Sequence, residues 1–419
     1  MSRYIAYVIV NLEITTSGVA ALSQIKRYLE IDVLRTFAII SMVFCHYSEI
    51  FTYRSGASGW IKFVADDFIG DFAAPLFLFL VGISLVISED HARQKGALYS
   101  QPRKLVIRAA FIFAAGIVFR VLNYGPHDIL AFGVLSFIGL VTLMFLFLRK
   151  MSSVSLLVMI VVVYFASPFL RACVPESMAM WKAGFAPITV DGWWHTVSGY
   201  FVQTALTYHN VHLENSIPQF FFSLFLSGEF PVFPWIIYPA AGIILGRKIV
   251  TGKDAGAIRP LALISVIMCL AGIAMACIGA TRPLSNQATG FLTLFSFFPT
   301  SPPLMALGMG VVFGLYVIVW KVCRSDFSFK RFDLSPVFSR ISKYSLTLYF
   351  FHHTLAFWFI GVLGMATGTD YFGRLTTPFG SCLISAGFLA AMYALLIRWD
   401  RSNGKYSLEW LLKRVEISG

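Results

Sequence analysis

The sequence predicts an all-α integral membrane protein, built as a bundle of about ten transmembrane helices. Three observations support this fold class. The chain of 419 residues is 58% hydrophobic and only 13% charged, whereas a soluble globular protein carries about 25% charged residues. Its mean hydropathy is +0.75. Long apolar runs alternate with short polar segments along the chain, a pattern typical of helices that cross a bilayer.

About ten apolar runs are each long enough to span the hydrocarbon core as a helix. They occupy roughly residues 33–52, 68–88, 105–123, 128–148, 153–172, 232–249, 260–280, 302–322, 344–364 and 379–398. Together they predict a single transmembrane domain over residues 27–419. Residues 1–26 are apolar but interrupted by polar side chains, which predicts a weak amphipathic or disordered lead with no signal peptide.

The basic residues between the runs predict the orientation of the bundle. If the first run starts in the cytoplasm, every second connecting segment lies outside, and the outside segments hold only a minority of the 33 Lys and Arg residues. That minority consists of Arg54, Lys62, Arg120, Arg171, Lys182, Arg282 and Arg374. Because basic loops remain in the cytoplasm, both termini are predicted to be cytoplasmic. The net charge of +12 therefore reflects membrane orientation and does not indicate nucleic-acid binding.

One predicted extracytoplasmic loop, residues 173–231, is much longer than the others. Its Trp and His residues are Trp181, Trp193, Trp194, His195, His209 and His212. Long loops in compact domains tend to be functional, and these side chains suit a site for a sugar or another polar, ring-shaped acceptor. A belt of aromatic residues at the membrane interface explains the composition equally well.

The first apolar run carries an ionisable residue near each end, Arg35 and His46, which a helix would separate by roughly 16 Å. Ionisable groups at membrane depth are costly and mark a site or a pathway, although both could instead reach the headgroup layers. His46, near the outer end, is the candidate general base because imidazole exchanges protons near neutral pH. Asp71, at the outer end of the second run, could orient that imidazole or could be an ordinary first-turn carboxylate.

The cytoplasmic end of the third run is basic, with Arg103, Lys104 and Arg108. Lys104 and Arg108 are four residues apart and share a helix face. Together with Arg35 they predict a basic entrance that would bind a phosphate-bearing donor. Ordinary positive flanks of a transmembrane helix explain Arg103 and Lys104 well, but Arg108 less well.

The ninth run contains two adjacent histidines, His352 and His353. Neighbouring helical residues point about 100° apart, so at most one of the two is expected to line the same cavity as His46. His352 is therefore a second candidate, and Arg120 and Glu229 are weaker ones on the outer side. Neither the histidines nor the six cysteines show metal-ligand spacing, so we expect no metal site and no structural disulfide.

Five segments of the chain resemble the membrane acyltransferases of the heparan-α-glucosaminide N-acetyltransferase catalytic-domain family and, more distantly, the acyltransferase-3 family. The resemblance covers most of the chain from about residue 27, and its strongest pieces are Leu29–Arg35, Asp71–Gly82, Phe230–Trp235, Phe298–Pro302 and Tyr344–His352. The spacing of Arg35 and His46 looks like the first-span signature of the acyltransferase-3 enzymes, where this His is the proposed catalytic residue. The glucosaminide enzymes have Asn at the position of His46 and their catalytic His in the next outer loop, whereas residues 48–67 here contain no His.

The resemblance implies transfer of an acyl group, acetyl in the favoured case, from cytoplasmic acyl-CoA to a hydroxyl or amine of an extracytoplasmic glycan or glycoconjugate. Acetyl-CoA or another acyl-CoA would be the co-substrate, bound by Arg35, Arg103, Lys104 and Arg108, and no metal is implied. His46 would act as general base or would itself accept the acyl group. The membrane would be the bacterial cytoplasmic membrane, and a homodimer is compatible with the sequence. The alternative is a transporter or flippase of an anionic or lipid-linked substrate, although we find no internal repeat of the kind transporters show.

Overall fold

The computed structural model describes residues 27–52, 69–96, 101–124, 132–174, 217–281, 291–297, 300–325, 334–369 and 371–418. Within these ranges the elements are helices and no strand forms, which confirms the predicted all-α class. The lead at residues 1–26 lies outside the described residues. So does most of the long predicted loop, including every Trp and His residue in it.

The helices are numbered α1 to α14 in chain order. They are α1 (Leu29–Phe51), α2 (Asp71–Gln94), α3 (Gln101–Tyr124), α4 (Val134–Leu148), α5 (Ser153–Ala172), α6 (Ile217–Phe222), α7 (Val232–Trp235), α8 (Ile237–Val250), α9 (Ile258–Ala280), α10 (Pro302–Arg324), α11 (Ser335–Lys343), α12 (Ser345–Thr367), α13 (Pro378–Arg401) and α14 (Leu408–Ser418). A π-helical turn, Ser223–Ser227, continues α6. Every predicted apolar run overlaps a helix of this series.

Local sequence explains where several helices begin and end. Thr377 caps α13, because its side chain accepts a hydrogen bond from the backbone N–H of Gly380, and the proline that follows is suited to the first helical turn. Ser152 caps α5 in the same way. The last turn of α12 is closed by Gly368, whose φ of +69° is a left-handed conformation that glycine adopts without strain.

Eight helical segments of the described chain are long and apolar enough to cross a membrane. Outside that set are α1, which carries Glu30, Asp32 and Arg35, and α4, which has only 15 residues. The segment Ile217–Val250 is included as one span, although its backbone leaves helical geometry at Phe233. The chain is thus an integral membrane protein, and the number of ten spans stays a prediction.

The centre of the bundle is held by close contact between α2 and α8. A Cβ atom added to Gly82 would collide with the backbone carbonyl of Pro239, and one added to Gly242 would collide with that of Phe79. Small residues at such crossings let two membrane helices approach closely. Because α2 is packed on several sides, most residues of its apolar stretch are buried, including Leu76 at 0% exposure.

Helix α1 connects this centre to α12, and two contacts show their relative direction. The hydroxyl of Tyr47 donates to the backbone carbonyl of His352 at 3.2 Å, and one turn further on the ring centroid of Phe51 lies 6.3 Å from that of Phe359. The contacts advance along both chains together, so α1 and α12 run parallel. As a result, the second half of α1, which contains His46, lies beside the histidines of α12.

Candidate active site

A cavity of about 390 Å³ lies between α1, α2, α3 and α12. Its polar and ionisable wall residues include His46, Glu49, Asp71, Arg120, Tyr124, Glu229, Tyr349, His352 and His353. The volume is in the range of small-molecule sites, and a few polar groups among apolar walls are typical of them. The three residues that sequence reasoning put forward for catalysis, His46, Asp71 and His352, therefore line one cavity.

Three imidazole rings meet in this cavity. The ring centroid of His46 lies 5.5 Å from that of His352 and 5.1 Å from that of His353. The expectation that only one of the two adjacent histidines would line the cavity is therefore wrong. The two side chains do diverge around α12, but His46 lies between their directions and contacts both rings.

His46 is oriented by Glu49, one turn further along α1. The Nδ1 atom of His46 is 2.9 Å from Oε2 of Glu49. Because a carboxylate only accepts hydrogen bonds, Nδ1 carries the hydrogen of the neutral ring, and Nε2 keeps its lone pair. We expected Asp71 in this orienting role. Asp71 lines the cavity, but sequence reasoning missed Glu49, which the i, i+3 spacing on one helix face could have revealed.

His352 presents a second basic nitrogen to the cavity. Its side chain is buried, at 1% exposure, and its Nδ1 atom lies 2.5 Å from the backbone carbonyl oxygen of Tyr349. A carbonyl only accepts, so Nδ1 carries the hydrogen and Nε2 carries the lone pair. That Nε2 atom has no hydrogen-bond partner among the described residues. A buried, unpartnered nitrogen on a cavity wall is suited to accept a hydrogen bond from a ligand.

His353 is held differently from the other two histidines, because both of its ring nitrogens contact α3. Its Nε2 atom lies 3.1 Å from the hydroxyl of Tyr124, and its Nδ1 atom lies 3.4 Å from Oδ1 of Asn123. Its ring also stacks on Phe357, with 4.7 Å between centroids. These contacts fix the wall of the cavity and suit a positioning residue.

A buried ion pair closes another side of the cavity. Nη1 of Arg120 donates to Oε2 of Glu229 at 2.6 Å, and the two side chains are only 4% and 9% exposed. The guanidinium of Arg120 also lies 4.4 Å from the centre of the Tyr124 ring. Glu229 follows the π-helical turn after α6. The pair therefore ties the described end of the long loop to α3.

The residues expected to bind the donor lie outside the wall of this cavity. Arg35 donates to hydroxyl groups on α2 and α11, each at 2.6 Å. Nε of Arg108 donates to Oε1 of Glu416, on α14, at 2.8 Å. Arg103 and Lys104, in the first turn of α3, are exposed. Their role in donor binding stays a prediction.

Three side chains of α1, one of them His46, bring potential metal-ligand atoms close together. The thiol of Cys45, a ring nitrogen of His46 and a carboxylate oxygen of Glu49 are all within 4.8 Å of one another. Sequence reasoning missed this set because it considered pairs of Cys and His residues. The signal was present in the sequence, since Cys45 and Glu49 are four residues apart and face the same side of α1.

The fold and the cavity define a helical integral membrane protein with a histidine-lined site between its helices. Residues 27–274, more than half of the chain, match the model of the family described as heparan-alpha-glucosaminide N-acetyltransferase, catalytic. The chain belongs to this family, which confirms the resemblance seen in its motifs and implies an acetyltransferase. No curated protein matches the chain significantly. His352 and His353 lie beyond the matched residues, yet they contact His46 within them.

Proposed function

We propose that this protein is a transmembrane acyltransferase that moves an acetyl group from cytoplasmic acyl-CoA to a hydroxyl or amine of an extracytoplasmic glycan. The observation that carries the proposal is the geometry of His46, whose Nδ1 atom is held by Glu49 while its ring lies beside His352 in a small-molecule cavity. Membership of an N-acetyltransferase family supports the acetyl group. The domain would extend over residues 27–419, because the site takes groups from both ends of that range.

In this mechanism, the lone pair on Nε2 of His46 takes the proton of the acceptor O–H or N–H group. The acceptor oxygen or nitrogen then attacks the carbonyl carbon of the thioester. As the tetrahedral intermediate collapses, the C–S bond breaks, and the imidazolium of His46 returns the proton to the departing CoA sulfur. Glu49 stabilises the imidazolium through its hydrogen bond to Nδ1, and such general base catalysis typically contributes about 10²–10⁴-fold.

His352 and Asp71 would bind and orient the acceptor. The lone pair on Nε2 of His352 can accept a hydrogen bond from a second hydroxyl of a saccharide, and the carboxylate of Asp71 can do the same. A direct route through His46 as base competes with a two-step route in which His46 takes the acyl group first. Kinetics separate them, because the two-step route predicts ping-pong behaviour and an acyl-enzyme before acceptor is added.

The donor would approach from the opposite, basic side of the bundle. Exposed Arg103 and Lys104 are available to the phosphates of CoA, and Arg108 and Arg35 lie on the neighbouring turns of α3 and on α1. Guanidinium and ammonium groups suit phosphate recognition. The excess of basic residues in alternate connecting segments supports a cytoplasmic location for this side, and a bacterial cytoplasmic membrane is the proposed setting.

The test is acetyl transfer by purified protein in proteoliposomes. Vesicles receive acetyl-CoA labelled in the acetyl group and a panel of saccharides, some with a free amine and some with hydroxyl groups only. We expect release of CoA thiol that depends on the acceptor, together with label in the saccharide. Vesicles without acceptor are the control, and the panel separates transfer to nitrogen from transfer to oxygen. Movement of a saccharide across the bilayer with intact acetyl-CoA would instead identify a transporter.

A further inference from the structure

We infer that the cavity contains a binding site for a divalent metal ion of the zinc type, formed by Cys45, His46, Glu49 and His352. The site combines one thiolate, two imidazoles and one carboxylate. It lies inside the cavity described above, but metal binding does not depend on any step of acyl transfer.

The first three ligands come from two adjacent turns of α1. Their donor atoms already lie within 4.8 Å of one another. With Zn–S, Zn–N and Zn–O distances of about 2.0–2.3 Å, the donor atoms of a tetrahedral site are separated by roughly 3.3–3.8 Å. Because the three side chains are on one helix, small rotations about their own bonds bring the donors to that separation without moving the backbone.

The fourth ligand is supplied by α12. The Nε2 atom of His352 is buried, lines the cavity and has no hydrogen-bond partner among the residues that the structure describes. Its ring centroid is 5.5 Å from that of His46. The other nitrogen, Nδ1, donates to the backbone carbonyl of Tyr349. Metal-binding histidines are commonly held in this way, since a carbonyl on one nitrogen fixes the ring and leaves the other for the metal.

The chemistry of the ligands favours zinc over magnesium or calcium. Thiolate and imidazole are ligands of Zn²⁺ and related transition metals, whereas Mg²⁺ and Ca²⁺ prefer oxygen ligands. The thiolate of Cys45 and the carboxylate of Glu49 together balance the two positive charges of the ion, and this favours burial within a membrane protein. Binding releases the thiol proton of Cys45 to the solvent. The hydrogen on Nδ1 of His46 moves to Nε2, so that Nδ1 binds the ion beside the carboxylate of Glu49.

The bound ion would inhibit the proposed acetyl transfer. It would occupy a ring nitrogen of His46 and the carboxylate of Glu49, and would thereby remove the base from the reaction. This inhibitory consequence rests on the proposed function, whereas the binding itself does not.

The direct test is a titration of the full-length purified protein with Co²⁺ after removal of metal by a chelator. Co²⁺ replaces Zn²⁺ in such sites, and a thiolate ligand gives it a charge-transfer band in the near ultraviolet. We expect one Co²⁺ per chain with this band, and its loss when Zn²⁺ is added. Cys45→Ser should lack the band, while Cys382→Ser, which changes a part-buried thiol on α13, should retain it. His352→Ala should weaken binding by more than about tenfold, because even residues behind a ligand contribute that much.

Zinc inhibition of acetyl transfer is the second measurement, scored against the metal-free rate of each variant. Cys45→Ser should need at least about tenfold more Zn²⁺ for half inhibition, and Cys382→Ser should not. No charge-transfer band in the unmodified protein, a band that survives Cys45→Ser, or unchanged Co²⁺ affinity in His352→Ala would each overturn the site. Protein that shows the band but transfers no acetyl group to any acceptor would refute the proposed function and leave the metal site standing.

Discussion

The two ends of the helical bundle hold their ionisable side chains differently. At the basic end, each of five cations has an acidic partner. The cations that define this end are Arg27, Arg324, Arg340, Lys343 and Arg108. The partners, in the same order, are Asp32, Asp254, Asp400, Asp400 and Glu416, at distances of 2.5 to 2.9 Å. The cavity wall also holds one ion pair, between Arg120 and Glu229, but there Nε2 of His352 has no partner within the described residues. Paired charges join neighbouring helices, whereas a buried nitrogen without a partner can still accept a hydrogen bond from a ligand.

The pairs at the basic end mostly join helices that are distant in sequence. Arg324 of α10 bridges Glu30 of α1 and Asp254, which precedes α9, and Arg340 of α11 binds Asp400 of α13. These contacts set the heights of the helices relative to one another. Helix α1, which carries His46, is therefore held in part by an ion pair that lies outside the cavity wall.

The largest expected effect comes from removing the proposed base, His46. His46→Asn should keep the fold and acetyl-CoA binding and should lower turnover by about 10²–10⁴-fold, because Asn cannot take a proton and no His follows on that segment. The measurement is CoA release in the presence of acceptor. The matched control is His91→Asn, at the basic end of α2, which should retain turnover. Near-full turnover of His46→Asn would place the base elsewhere, with His352 as the next candidate.

Most of the fold could be predicted because a helix that crosses a membrane needs a continuous apolar run of about 20 residues, which is visible in the sequence. The apolar runs predicted each of the eight segments of the described chain that could span the membrane, although Ile217–Val250 begins 15 residues before its predicted run at 232–249. The departure from helical geometry at Phe233 is not predicted, because the apolar side chains of the run at residues 232–249 continue across Pro234 and Pro239.

The site was predictable only in part. Ionisable residues at membrane depth are costly to bury, which made His46 and His352 candidates, and both line the cavity. The expectation that at most one of His352 and His353 lines the cavity with His46 is wrong. The angle between adjacent side chains does not prevent a third side chain from lying between them and contacting both. Glu49 was overlooked beside Asp71, because both could orient an imidazole and only packing decides which carboxylate reaches the ring.

The ion pair in the cavity wall, between Arg120 and Glu229, is expected to stabilise the fold as the pairs at the basic end do. Arg120→Ala leaves the carboxylate of Glu229 buried without its cation, and breaking a buried pair in this way costs about 3–5 kcal/mol. We expect a large drop in thermal stability in detergent. The double variant Arg120→Met, Glu229→Met removes both charges and should recover most of the loss. A single variant as stable as the double one would show that the pair is well solvated.

Variants of the ion pair between Arg108 and Glu416 can distinguish two roles of Arg108, the packing of α14 and the binding of the donor. If Arg108 binds a phosphate of CoA, Arg108→Ala should weaken acetyl-CoA binding by about 1.5–3 kcal/mol, the range for hydrogen bonds to charged groups. Glu416→Ala breaks the same ion pair but leaves the guanidinium available, so it should not weaken binding. The measurement is the Kd of each variant. Equal losses in both variants would make Arg108 a residue that only holds α14.

The smallest expected effect concerns the anchoring of α12, the helix that carries His352 and His353. Glu409 of α14 accepts hydrogen bonds from the backbone N–H groups of Leu346 and Thr347, at 2.8 and 3.0 Å, as an N-terminal cap would. Glu409→Ala should cost about 0.5–2 kcal/mol of stability, as loss of a cap does. Glu409→Gln keeps an acceptor oxygen and should cost less.

Glu409 is also expected to make the stability of the protein depend on pH. Burial raises the pKa of Glu409, although its hydrogen bonds from Thr347 and Leu346 oppose the shift. The folded state therefore binds this proton more tightly than the unfolded state. The contribution of Glu409 to stability is present below its unfolded pKa and declines as the pH rises through its folded value. Melting temperatures measured from pH 4 to pH 8 should show a shallower decline in Glu409→Gln than in the unmodified protein. Identical slopes would mean that Glu409 is ionised as readily in the folded chain as in the unfolded one.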